Sequence, residues 1–279
     1  MAIELVDKYL PYVDEQFSTE SKMSLVTNQD FKFTGAHSVR VYKVSTSAMN
    51  DYGRGGAEEG NWSRYGKVES LDATTEQFIM ENDRSFTFII DKLDEDETGE
   101  TLEAASALAR QMREVVIPEV DKYTYGVMCE NAGNKPEAIE LTADNIYTKI
   151  IEANNALDNA EVPETNRVLV VTPDTYLLMK KCKDIVMETD IGSEMRARGV
   201  IANLDGLNVQ KIPAKRLPAG FGFMIAHPCA TPAPTKLESF KTHENPPGVS
   251  GTLVEGRIVY DAYVLPNKAK AIYYQAKTV

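Results

Sequence analysis

The chain has 279 residues, with 42 acidic and 30 basic side chains and a formal charge of −12. That length holds one large domain or two modest ones and buries a full core without metals or disulfides, and the 43% hydrophobic and 26% charged content is that of a soluble globular protein. The acid excess argues against a protein whose main affinity is for nucleic-acid phosphate, which comes from clustered Lys and Arg, and against an anionic membrane surface as partner.

The first segment reads as a short amphipathic helix. Ile3, Val6, Leu10, Val13 and Phe17 recur at helical spacing, and Pro11 kinks the pattern. Such a helix is marginal alone and needs a second surface, on its own domain or on another subunit. Glu4, Asp7, Lys8, Asp14 and Glu15 rule out a secretory signal here. No apolar run approaches the roughly 18 residues that span a bilayer. The expectation is a product that stays in the cytoplasm where it is made or leaves by lysis.

Residues 31–46 carry strand character, with Val39 and Val41 in a β-branched run. Residues 51–66, DYGRGGAEEGNWSRYG, hold five glycines and almost no aliphatic side chain. Strand character resumes behind them and ends in residues 85–90. Two strands across a glycine-rich tip predict an extended hairpin. The only tryptophan, Trp62, lies in that tip, where an exposed aromatic anchors a partner.

Residues 91–100 form an acidic turn ahead of a helix, whose positive end they favour. Asp94, Asp96, Thr98 and Gly99 match the first half of a calcium loop. Its twelfth position is Ala105 instead of Glu, and a strand precedes it, so calcium is rejected. The helix that follows is the longest in the sequence, with Leu102, Leu108, Met112, Val115 and Val116 on one stripe. Pro118 bends or interrupts it, and the pattern resumes to about Cys129. A continuous helix here is a spine of about 45 Å.

Thr142 is expected to cap a helix buried through Ile146, Ile150, Ala153 and Leu157. Residues 167–171, RVLVV, read as a buried strand, and Thr172-Pro173-Asp174 as the start of a helix running to Lys181. Leu204-Asp205-Gly206-Leu207 is a turn between two short strands that end at Ile212-Pro213. Residues 220–226 are another strand, 228–247 a proline-rich loop, and 257–265 and 270–275 the closing strands. No internal repeat is visible, and no linker cuts the chain into independent domains.

Catalytic chemistry is not visible in this text. Cys129, Cys182 and Cys229 are far apart and odd in number, which supports neither a zinc ribbon nor a disulfide framework and fits a reducing compartment. Of His37, His227 and His243, only His227-Pro228-Cys229 pairs two ligand types, and two ligands do not make a site. There is no GxSxG, HExxH or Walker A string, and Gly220-Phe221-Gly222 lacks the third glycine of a dinucleotide loop. No catalytic residue, metal or cofactor is expected.

Charge placement remains. The hairpin region holds Arg40, Lys43, Arg54, Arg64 and Lys67 against Asp51, Glu58 and Glu59, while residues 91–103 hold seven acids and one lysine. A basic projection and an acidic ridge on one chain favour head-to-tail association of copies. The candidate contact residues are Tyr52, Arg54, Trp62, Arg64 and Tyr65 on the tip. Leu10, Val13 and Phe17 are the candidates on the N-terminal helix, and Asp94, Asp96 and Glu97 on the ridge.

The layout resembles the major capsid proteins of tailed bacteriophages. Phe33-Thr34-Gly35-Ala36 before Val39-Arg40-Val41 is similar to the way into that family's extended loop, and Asp51-Tyr52-Gly53-Arg54 to its tip. Asp83-Arg84-Ser85-Phe86 is similar to the return strand, and residues 116–121 (VIPEVD) to the later spine helix. Leu204-Asp205-Gly206 with Ile212-Pro213 is similar to the central hairpin. Glu255-Gly256-Arg257-Ile258, Tyr260-Asp261 and Asn267-Lys268 are similar to the C-terminal strands. The order and spacing of these strings carry the resemblance over nearly the whole chain.

The resemblance implies the α+β Hong Kong 97-like capsid fold. It comprises an N-terminal arm (1–30), an extended β-hairpin loop with its base strands (31–90) and a peripheral domain with the spine helix (91–139). A mixed α/β axial domain (140–235) and long C-terminal strands returning to the peripheral domain (236–279) complete it. It implies self-assembly into hexamers and pentamers, as an icosahedral shell around double-stranded DNA that is enclosed without sequence-specific binding. The expected location is the virion capsid, assembled in the bacterial host cytoplasm, with no membrane partner. Residues 51–65 contain no Lys, so the isopeptide cross-link of some family members is not expected here. The chain begins almost directly at the arm, so a separate scaffolding protein, with a portal, is the expected assembly partner. An encapsulin-type nanocompartment shell is the alternative.

Overall fold

The computed structural model describes residues 21–28, 38–56, 62–93, 104–187 and 203–278. The chain divides into two units, Phe33–Met80 on one side and Met1–Lys32 with Glu81–Val279 on the other. Leu10, Val13 and Phe17 of the expected arm, and Asp94, Asp96 and Glu97 of the expected ridge, lie outside the described residues.

The smaller unit is a two-stranded ribbon. Strand β1 (Ser38–Val44) pairs antiparallel with β2 (Ala73–Ile79), Ser38 opposite Ile79 and Val44 opposite Ala73. The same register continues past the ladder, where the Ser45 N–H donates to the Asp72 carbonyl at 2.9 Å and the Gly53 N–H to the Arg64 carbonyl at 2.9 Å. Among residues 45–56 and 62–80 only Met80 is buried.

In the larger unit β3 (Asn82–Asp91) begins two residues after the ribbon ends. Residues 85–90, expected as the return strand of the hairpin, pair elsewhere. β3 runs antiparallel to β9 (Gly251–Tyr260), with β8 (Thr235–Glu244) on the far side of β9. The helical spine is unbroken from α1 (Ala104–Gln111) through a π turn (Met112–Val116) into α2 (Ile117–Glu130), roughly 40 Å of helix. Pro118 does not interrupt it. Proline has no N–H for the carbonyl of Glu114 and crowds it, and the wider π turn sits just ahead of the proline, which then occupies the first turn of α2.

The second half alternates. Helix α3 (Ile146–Asn159) precedes β4 (Val168–Val171), and α4 (Pro173–Lys181) and α5 (Lys183–Met187) follow it. The hairpin β5 (Asn203–Leu204) and β6 (Leu207–Lys211) turns through Asp205 (φ 50°) and Gly206 (φ 75°), two consecutive left-handed residues that a glycine makes cheap. β7 (Phe221–Ala226) and β10 (Ile272–Ala276) complete a five-stranded sheet in the order β10-β7-β4-β6-β5, in which only β4 and β6 are parallel. Thr172 caps α4 as its sequence suggests, its Oγ1 accepting from the Thr175 N–H at 3.1 Å. Thr142 does not cap α3. The cap is Asn145, whose Oδ1 accepts from the Thr142 N–H at 2.8 Å.

The five-stranded sheet is filled from both faces, which explains why RVLVV and FGFMIA are unbroken apolar runs. Val168, Val170, Met224 and Ala226 face a core shared with Met112, Val116, Val120 and Met128 of the spine, and with Phe240, Val254 and Ile258 of the three-stranded sheet. Leu169, Val171, Phe223 and Ile225 face a second core built by Ile146, Ile150, Ala153 and Leu157 of α3 and by Met179 and Ile185.

Three expectations change near the C-terminus. Residues 228–247 are not all loop, because ten of them form β8, held by the ladder of β9. The strand expected over 257–265 stops at Tyr260. Beyond it, Asp261 and Tyr263 donate their N–H groups to the carbonyls of Pro234 and Pro232 at 3.1 and 3.0 Å. The two prolines have no N–H to return, so no ladder forms. The last strand likewise begins at Ile272, since residues 266–271 form a 3-10 turn.

Candidate assembly surfaces

The ribbon tip is ordered by its own backbone. Besides the Gly53–Arg64 hydrogen bond, the rings of Tyr52 and Tyr65 meet edge to face with centroids 5.0 Å apart. Asn50 Nδ2 donates to the Tyr65 carbonyl at 3.4 Å, and the Tyr65 N–H donates to Ser63 Oγ at 3.2 Å. Gly66 turns at φ 91° with Asn50 packed against it, a place no side chain would fit. The Arg54 N–H closes a tight turn on the Tyr52 carbonyl at 2.9 Å. The structure therefore brings Tyr52, Arg54, Arg64 and Tyr65 together around one cross-strand pair.

What the tip does not do is bury its apolar side chains. Trp62 is 84% exposed, Tyr65 78% and Met49 fully exposed, with Val68 and Leu71 also in solvent. An isolated two-stranded ribbon is marginal in water. This one exposes several large apolar groups among its described residues.

Just ahead of β3, one carboxylate gathers four donors. Asp261 is buried, and accepts from the Glu81 N–H (2.9 Å), Tyr123 Oη (2.8 Å), Tyr263 Oη (3.0 Å) and the Ala262 N–H (2.7 Å). Burial, and then the carboxylate, push Tyr123 and Tyr263 up from the usual phenol range, so both stay protonated donors. The acid sits inside the apolar text IVYDAYVL, and that interruption was the signal that sequence reasoning passed over.

The spine holds a second buried carboxylate. Asp121 accepts from Arg216 Nη1 at 2.9 Å and from Ser21 Oγ at 2.8 Å. Burial pushes its carboxyl up, against the opposing pull of Ser21 and Arg216. The same stretch of chain buries Met23 and Val26, and the Asn28 N–H donates to the Thr231 carbonyl at 2.8 Å. Residues 21–28 are thus fastened to the spine at their first residue and beside β8 at their last.

Nearby, Glu119 of the spine accepts from Arg84 Nε at 3.0 Å and from Tyr260 Oη at 3.1 Å. These side chains rim an open cleft of about 390 Å³ between β3 and the π turn, floored by Phe86, Val116, Val120 and Ile258, with Val115 exposed at its edge. His227 and Cys229 form a turn, Nδ1 accepting from the Cys229 N–H at 3.2 Å. Among the described residues no three His, Cys, Asp or Glu side chains are grouped to hold a metal, and no helix is long and apolar enough to cross a membrane.

No protein-family model matches the chain, and no curated protein does. Solved structures do match. A chain from Mycobacterium phage Che8 superposes with a TM-score of 0.72 at 18% identity, covering 91% of this chain and 89% of that one. A chain from the capsid of the cyanophage P-SCSP1u gives 0.71 at 13% identity, covering 91% and 86%. The virus-like particle from Pyrococcus furiosus gives 0.59 at 12% identity, covering 98% and 99%. The chain shares the fold of these particle-forming chains. That fold is the α+β fold of the Hong Kong 97 type.

Proposed function

We propose that this chain is the major capsid protein of a tailed phage. Copies form hexamers and pentamers that close an icosahedral shell around double-stranded DNA, in the bacterial host cytoplasm and then in the virion. One observation carries this reading beyond the fold. Strands β1 and β2 pair as a ribbon, and residues 45–56 and 62–80 bury only Met80 while exposing Met49, Trp62 and Tyr65. A segment with no core of its own orders by covering its apolar groups on a partner.

In this reading Tyr52, Trp62 and Tyr65 are the apolar anchors on a neighbouring copy, and Arg54 and Arg64 flank them. Asp94, Asp96 and Glu97 supply the complementary charge, and Leu10, Val13 and Phe17 strap a further subunit. A scaffolding protein and a portal take part in assembly. The role is structural, with no catalytic step. Residues 51–65 offer no Lys for an isopeptide bond, so the contacts are non-covalent.

The likeness to the Pyrococcus furiosus particle over 98% of this chain supports a second reading, a protein compartment around an enzyme cargo. Electron microscopy of the purified chain, with nucleic-acid and protein analysis of the contents, separates the two. Polyhedral particles holding DNA, and a single subunit band after boiling in SDS, are expected. Particles holding an enzyme favour the compartment, a ladder of linked subunits contradicts the non-covalent contact, and a stable monomer ends both shell readings.

A further inference from the structure

The geometry points to His227 as an acid-sensitive latch: its neutral ring closes the turn that fastens residues 21–28 beside β8, and a proton on the ring opens that turn. The latch belongs to the folded chain itself and does not depend on what the chain assembles into. β7 ends at Ala226, and the chain then turns through His227-Pro228-Cys229-Ala230. Pro228 has no N–H, so the Cys229 N–H is the first donor after His227. It donates to His227 Nδ1 at 3.2 Å, which requires that nitrogen to be unprotonated. The Thr165 backbone is the ring's other hydrogen-bond partner. The residues just beyond are a junction. The Ala230 carbonyl accepts from the Leu265 N–H at 3.0 Å, Thr231 from the Asn28 N–H at 2.8 Å and Pro232 from the Tyr263 N–H at 3.0 Å. One imidazole therefore shapes the turn that presents three consecutive carbonyls to two other parts of the chain.

A proton on Nδ1 changes this turn in two ways. The new N–H meets the Cys229 N–H, so a half-buried backbone donor loses its acceptor. The ring also becomes a cation beside two others, Arg167 and Lys268, which are the charged groups that act on it among the described residues. Arg167 is buried and paired with Asp158 at 2.7 Å. Lys268, exposed on the 3-10 turn of residues 266–271, makes no ion pair among the described residues. The Cys229 thiol is pushed up by burial, stays neutral and supplies no compensating charge. Burial, and then Arg167 and Lys268, hold His227 below the usual histidine value, against the opposite pull of the Thr165 backbone. The closed turn thus binds a proton less readily than the open one. Its stabilising share is complete above pH 6.5, the ordinary histidine value, and is lost as pH falls through the lower value of the closed turn.

The test is hydrogen exchange on the full-length, unassembled chain, read by mass spectrometry at about pH 7.5 and about pH 5 and corrected for the intrinsic exchange rate. The peptides that contain Cys229 and Asn28 are expected to exchange several-fold faster at the acid pH, and to do so together. His227→Asn places a neutral oxygen where it accepts from the N–H two residues on, as asparagine does in turns, and is expected to keep both peptides protected at both pH values. His243→Gln, on β8, is expected to leave the acid response as it is. Lys268→Gln removes one of the two cations, and is expected to move both the midpoint of the response and the NMR titration of the His227 ring to higher pH. An acid response that survives in His227→Asn overturns the latch, and so does a native chain whose two peptides exchange alike at both pH values. Faster exchange at Cys229 with none at Asn28 overturns the fastening of residues 21–28. If His227→Asn fails to fold, Lys268→Gln decides, and an unmoved midpoint counts against the latch.

Discussion

The ribbon and the five-stranded sheet use the same backbone geometry to opposite ends. β1 and β2 match seven residue pairs and bury none of the β2 side chains, whereas β4 is only four residues long and all four are buried. β4 is paired on both sides, and β1 and β2 each on one. What differs is the surface removed from water, worth about 25 cal/mol per Å² of apolar area. The sheet buries its own apolar side chains, and the described part of the ribbon leaves most of its own in water.

That contrast can be pressed with substitutions. Leu157 is fully buried in the core between α3 and the sheet, and Leu157→Ala is expected to cost about 2–5 kcal/mol of unfolding free energy in urea. A loss under about 1 kcal/mol would mean the sheet is not the stable half. Tyr260 gives a middle-sized effect with a pH signature. Burial, and then Glu119, push its phenol up to about 12. The folded state therefore holds this proton more tightly than the unfolded chain. Its stabilising share is complete below pH ~10, the ordinary tyrosine value, and is lost as pH rises through about 12. Tyr260→Phe is expected to flatten the alkaline fall in thermal stability and to cost about 1 kcal/mol at neutral pH through the lost hydrogen bond to Glu119. An unchanged alkaline profile would place the titration elsewhere.

The smallest effect on the isolated chain is expected at Trp62. With 84% of its surface in solvent, Trp62→Ala should move unfolding by no more than about 0.5 kcal/mol. The same change should cost at least about 2 kcal/mol per contact in assembly, read as a raised critical concentration for particles in light scattering. A large loss of stability in the unassembled chain would show that Trp62 has a partner within its own subunit, and the comparison would break.

Legibility in the sequence follows the same division. Ile146, Ile150, Ala153 and Leu157 were readable because their spacing is the period of a helix against a core. Asp205-Gly206 was readable because two left-handed residues leave few choices of turn. β8 was not, since TKLESFKTHE between prolines has neither helical nor strand alternation, and it is a strand only because β9 supplies the ladder. The glycines marked the tip, yet nothing in the text disclosed that the ribbon's register persists to Gly53 and Arg64.

The carboxylate of Asp261 has a mechanical consequence. Tension drawn along the chain from the side of β2 reaches β3 through the peptide of Glu81, one residue before β3 meets β9 at the pair Asn82–Tyr260. An antiparallel pair pulled from its end peels one rung at a time, and each rung yields at low force. Here the first group in the line of pull, the Glu81 N–H, is gripped by Asp261, which also grips the spine through Tyr123. The load is shared with a helix at once, before any rung of β3 is asked to open.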